Sequence, residues 1–128
     1  MSRALASFTG FLATVLFSAL ATAGSMPFDE AAYAKAVANG GPVVVQFHAD
    51  WCPTCKAQTP IVAEILNEPK MKSVKLFVAN FDTEKALRKS LKVSTQGTFV
   101  VFKGAKEVAR SSGQTNRGEI EATFAKSL

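Results

Sequence analysis

The chain has 128 residues, 48% of them hydrophobic, and a net charge of +5. That length suits one domain, and the apolar content excludes a disordered polymer. Lys85, Arg88, Lys89 and Lys92 lie close together but without the interleaved aromatics of a nucleic-acid platform, so they read as a solvated helix face and no nucleic-acid partner is expected. The only two cysteines stand three positions apart, too close to staple a whole domain, which excludes a disulfide scaffold.

Residues 1–23 read as a secretory signal peptide. Arg3 makes a positive start, Phe8 to Leu20 forms an uncharged apolar centre, and Ala21-Thr22-Ala23 supplies small residues for cleavage. An uncleaved membrane anchor is the lesser reading, because a spanning helix needs about 20 apolar residues. Residues 24–128 then form the single mature domain, placed in the periplasm, with secretion as the alternative.

A first helix is predicted over Asp29 to Ala38, with its acids at the positive end of the dipole and Asn39-Gly40-Gly41 as its stop. Val43 to Phe47 is a β-branched run suited to a strand buried on both faces. A second helix starts at Cys52 or Pro53 and reaches Leu66 or Asn67, with Pro60 expected to kink it. Val74 to Phe81 is a strand, and Asp82 or Thr83 caps a short helix bearing Leu87 and Leu91. Thr98 to Phe102 and Glu107 to Arg110 form a hairpin about Lys103-Gly104-Ala105-Lys106. Asn116 with Glu119 opens a terminal helix whose Ile120, Phe124 and Leu128 share one face. Tyr33, Phe47, Phe77, Phe99, Phe102 and Phe124 are the expected aromatic core. The order implies an α/β fold: a small mixed sheet with helices on both faces, its helical crossovers joining parallel strands.

The chemistry lies in Trp51-Cys52-Pro53-Thr54-Cys55-Lys56. This segment joins the carboxyl end of a buried strand to the start of a helix, the edge where open α/β sheets place their sites. A thiol there meets unpaired backbone N–H groups and the positive end of the dipole, which favour thiolate, the attacking species in disulfide exchange. Position makes Cys52 the outer nucleophile and Cys55, one turn on, the resolving thiol. Pro53 stiffens the turn, Thr54 completes the intervening dipeptide, Lys56 adds positive potential, and Trp51 packs beside the site as docking surface. His48 reads as a partly buried filler, with imidazolium support of the thiolate as the alternative. Asp50 reads as a solvated loop acid. Structural zinc needs four ligands, and Cys52, Cys55 and His48 offer three, so no metal is assigned.

With Val43-Val44-Val45-Gln46-Phe47 leading into Ala49-Asp50-Trp51-Cys52, then Cys55-Lys56, Pro60, Phe81-Asp82 and Thr98 to Gly104, residues 26–128 resemble the thioredoxin family. The resemblance implies the thioredoxin fold and dithiol–disulfide exchange with protein disulfides, without an organic cofactor. It also implies a substrate-facing loop at Gln96, Gly97 and Thr98. There the sequence departs from the family: Gly97 stands where thioredoxins carry a cis-proline, and a trans bond is expected at Gln96-Gly97. Gln46 stands where the family has a buried Asp that assists the resolving thiol, and Pro53-Thr54 replaces Gly-Pro between the cysteines. The resulting expectation is a monomeric reductase of exported proteins, re-reduced by a membrane thiol donor. A disulfide-donating oxidase or isomerase, a non-catalytic binding module and a metal-binding protein remain as alternatives.

Overall fold

A computed structural model of the chain describes residues 24–128. The signal peptide assigned to residues 1–23 lies outside them. The described elements are β1 (Ser25–Pro27), α1 (Glu30–Ala38), β2 (Pro42–His48), α2 (Pro53–Asn67), a 3₁₀ turn (Pro69–Met71), β3 (Lys75–Asn80), α3 (Lys85–Ser90), β4 (Thr98–Lys103), β5 (Lys106–Ser112) and α4 (Arg117–Ala125).

Five strands form one mixed sheet in the order β1-β3-β2-β4-β5. β3 runs parallel to β1 and β2, whereas β4 is antiparallel to both β2 and β5. The expectation that every helical crossover joins parallel strands therefore fails at α3. Six helical residues span about 9 Å, while a six-residue strand spans roughly 20 Å. α3 cannot carry the chain back across the sheet, so β4 starts at the end where β3 finished. The Gly97 N–H accordingly donates to the Phe47 carbonyl at 2.8 Å, at the carboxyl end of β2.

β2 is the centre of the core, as its uninterrupted apolar run requires. Val43, Val45 and Phe47 face Phe77, Val100 and Phe102, with Tyr33 of α1 and Leu87 of α3 packed against them. Val44 turns to the other side, among Leu76, Phe99, Ile65 of α2, and Ile120 and Phe124 of α4. Of the expected aromatic core, the five phenylalanines are buried and Tyr33 is half-buried.

The caps follow from the sequence at two helices. Asp29 Oδ1 accepts from the Ala32 N–H at 2.8 Å, and Asn116 Oδ1 accepts from the Glu119 N–H at 3.1 Å. At α3 the expectation fails: Glu84 is the cap residue and makes no side-chain cap bond. Asn80 Oδ1 instead accepts from the N–H groups of Asp82 and Thr83 and turns the chain there. Leu128 also departs, because α4 stops at Ala125 and leaves it 45% exposed. α2 passes through Pro60 as one helix. β1 escaped sequence reading, since three residues ending in proline carry no alternation to detect.

Candidate active site

β2 ends at His48, and Ala49 to Trp51 turn the chain into α2. Cys52 is the N-cap of that helix, with extended backbone at φ −86° and ψ 117°, and Pro53 occupies the first helical position. The Cys52 Sγ accepts from the Cys55 N–H at 3.3 Å, so a sulfur stands where a Ser or Asp oxygen usually caps. Both cysteines are free thiols, with Cys52 2% and Cys55 0% exposed.

This geometry separates the two thiols electrostatically. Burial raises the Cys52 thiol, but donors outweigh it: the Cys55 thiol, the N–H groups of Cys55 and Thr54, and the Gln96 side chain. Cys52 therefore ionises below its ordinary range. Cys55 goes the other way, pushed up to about 11 by burial first, then by its hydrogen bond to Cys52 and by the charge there. One thiol is biased towards thiolate and its neighbour towards keeping its proton.

Around the pair, Trp51 is 58% exposed, and its Nε1–H donates to Asp82 Oδ2 at 2.8 Å. Asp82, read from sequence as a helix cap, thus fixes the exposed indole beside the site. Pro53 and Lys56 are exposed and Thr54 is half-buried. His48 Nε2 pairs with Asp50 Oδ1 at 3.0 Å. Among the described residues, no three His, Cys, Asp or Glu side chains gather as a metal site.

The Gln96-Gly97 loop lies against the start of α2. Gln96 is half-buried and Gly97 buried. No peptide bond among the described residues is cis, and Gly97 has φ +72°. A Cβ on Gly97 would lie 3.3 Å from Thr54 Cγ2, between the cysteines, and 3.6 Å from both polar atoms of the Gln58 amide. Thr98 opens β4, with its Oγ1 donating to Thr95 O at 2.8 Å.

Gln58 was missed from the sequence. It is fully buried on α2, one turn beyond Cys55, and its Nε2 donates to Gly97 O at 3.1 Å and to Gln114 O at 2.9 Å. The available signal was a polar residue in the buried stripe of Cys55, Val62 and Ile65. Gln46 is 4% exposed, lies in register with Val78, and its Nε2 has no hydrogen-bond partner. It lines a cavity of about 480 Å³ with His48, Thr59 and Val62, which neither cysteine lines.

The thioredoxin family model matches residues 25–126. Among curated proteins, the chain is 30% identical to Thioredoxin Asp f 28 of Aspergillus fumigatus, over 68% of this chain and 79% of that one. It is 32% identical to a thioredoxin of Chlamydia caviae, over 62% of this chain and 76% of the relative. Among solved structures, Trxlp of Edwardsiella tarda superposes with a TM-score of 0.76 at 35% identity, covering 78% of this chain and 97% of that one. The thioredoxin of Trypanosoma brucei brucei, at 17% identity and a TM-score of 0.72 over 83% of this chain and 92% of its own, shares the fold. Family, sheet order and the thiol-capped helix agree, and the chain belongs to the thioredoxin family.

Proposed function

We propose that this thiol-disulfide oxidoreductase reduces disulfides of exported proteins in the periplasm, through Cys52 and Cys55. The observation that carries the reading is the division between the two thiols: Cys52 caps α2 and is stabilised as thiolate, while Cys55 is held protonated. The Cys52 thiolate attacks one sulfur of a substrate disulfide, and the other substrate sulfur leaves as a thiolate and takes up a proton. Bonding at Cys52 removes the negative charge that helped to hold the Cys55 proton. Cys55 then loses that proton and attacks the Cys52 sulfur, releasing the second substrate thiol. Two electrons and two protons have passed to substrate, and a Cys52–Cys55 disulfide remains. A membrane thiol donor re-reduces it, the enzyme acting as a monomer. Export rests on the apolar leader in residues 1–23.

The test is reduction of a protein disulfide by dithiothreitol with the domain as catalyst. Cys52→Ser is expected to abolish the acceleration, and Cys55→Ser to accumulate a mixed disulfide through Cys52. A Cys52→Ser variant as active as the parent would sink the reading. One observation favours the reverse direction. The donors around Cys52 stabilise the reduced form, and that is how disulfide-donating members of such systems become oxidants.

A further inference from the structure

We propose that Gln58 is a positioning residue for disulfide exchange, fixing the Gln96-Gly97 loop against the cysteine helix so that the loop receives substrate in one geometry. The inference deepens the exchange reading and rests on it.

The loop lacks a residue that would stiffen it from within. Gly97 sits at φ +72°, a backbone region open to glycine at little cost but not restricted to by it. What holds it is a set of hydrogen bonds from three other elements. Its N–H donates to Phe47 O at 2.8 Å on β2, and its carbonyl accepts from the Gly113 N–H at 3.1 Å. The same carbonyl accepts from Gln58 Nε2 at 3.1 Å. Gln58 brings its bond from the helix that carries the cysteines, beside the contact of the Gly97 backbone with the Cys55 thiol.

The second proton of that amide goes to Gln114 O at 2.9 Å. One NH₂ group therefore joins α2 to the loop before β4 and to the segment after β5. Its orientation follows from its partners: turned over, the amide oxygen would face two carbonyl oxygens. The Gln58 Oε1 is buried without a partner among the described residues. An unmet buried acceptor is a cost that Met of similar length would avoid. Apolar packing alone would put an aliphatic residue here, beside Val62 and Ile65. The donors aimed at Gly97 and Gln114 are what this glutamine adds.

The half-buried end of the loop is Gln96, whose side chain acts on the Cys52 sulfur. Gln58 grips the buried end, one residue away. Loosening that grip leaves the cysteines in place but frees the loop from them. Protein disulfides, which need the loop, are affected more than small disulfides, which need only the sulfur.

The experiment compares wild type and Gln58→Met in the dithiol form. KM is measured for a protein disulfide and for a small aromatic disulfide, and the Cys52 titration is followed by thiolate absorbance. Gln58→Met is expected to raise KM for the protein disulfide about fivefold, the equivalent of roughly one hydrogen bond, with kcat and the small-disulfide rate within about twofold and the Cys52 titration moved to higher pH. Equal loss on both substrates, or no change in KM and titration, would overturn the proposal. A wild type inactive on both would instead defeat the exchange reading. If the variant does not fold, exchange of the wild-type Gln58 side-chain amide protons decides: slow exchange together with loop amides that share its protection supports the brace, and rapid exchange overturns it.

Discussion

Gly97→Ala is the perturbation whose cost follows most directly from the structure. Gly97 has φ +72°, and left-handed backbone costs a non-glycine residue about 1–2 kcal/mol. Against this, alanine reduces the freedom of the unfolded chain, which offsets only part of that cost where φ is positive. The new Cβ would also meet Thr54 Cγ2 at 3.3 Å, so Thr54 must give by a few tenths of an ångström. The net expectation is a destabilisation of about 1 kcal/mol, near 5 °C in Tm for a domain of this size. Urea unfolding of the reduced domain reads it as a lower midpoint with unchanged slope. A midpoint equal to or above that of wild type would refute the reasoning about this loop. Gly97→Pro should cost more still. It removes the N–H that donates to the Phe47 carbonyl, and an unmet buried acceptor costs about 1–3 kcal/mol.

Other consequences can be read in the same way. Gln96→Ala removes a donor that lowers the Cys52 thiol, so the pH at which exchange with a small disulfide reaches half its maximum should rise; an unmoved profile would discount Gln96. The raised Cys55 thiol gives a stability effect of opposite sign to a salt-bridged acid. Its contribution is complete below the ordinary value of 9.0 and is lost as pH climbs through about 11. The reduced domain should therefore weaken over that window, and Cys55→Ala should flatten the loss. Phe124→Ala empties a fully buried site beside Phe99, whose ring lies 5.1 Å away, and should cost about 3–5 kcal/mol in chemical denaturation.

Much of this architecture could be read in the residues because the relevant signals are local. The β-branched run Val43 to Phe47 suits a doubly buried strand. Asp29 and Asn116 marked their helix starts. The position of Cys52 at a strand–helix junction points to a thiolate from the residues alone. What the sequence concealed was set by tertiary contact. β4 reverses because α3 is too short to cross the sheet, a matter of path rather than pattern. Leu128 keeps the helical spacing of Ile120 and Phe124 yet falls beyond the end of α4. Gln58 interrupts the buried stripe of α2, but the carbonyls of Gly97 and Gln114 that its amide meets come from distant parts of the chain. Asp82 looked like a cap, and its bond to Trp51 spans 31 positions of sequence.

The most direct test of the whole account is the equilibrium reduction potential of the Cys52–Cys55 couple in residues 24–128. The scale runs from about −270 mV for thioredoxin to about −120 mV for a strong periplasmic oxidant, with 30 mV equal to about 1.4 kcal/mol. A reductase should give a reversible two-electron couple near the lower value. A potential near the upper one would reverse the direction of electron flow, and the absence of any reversible couple would contradict exchange at this site altogether.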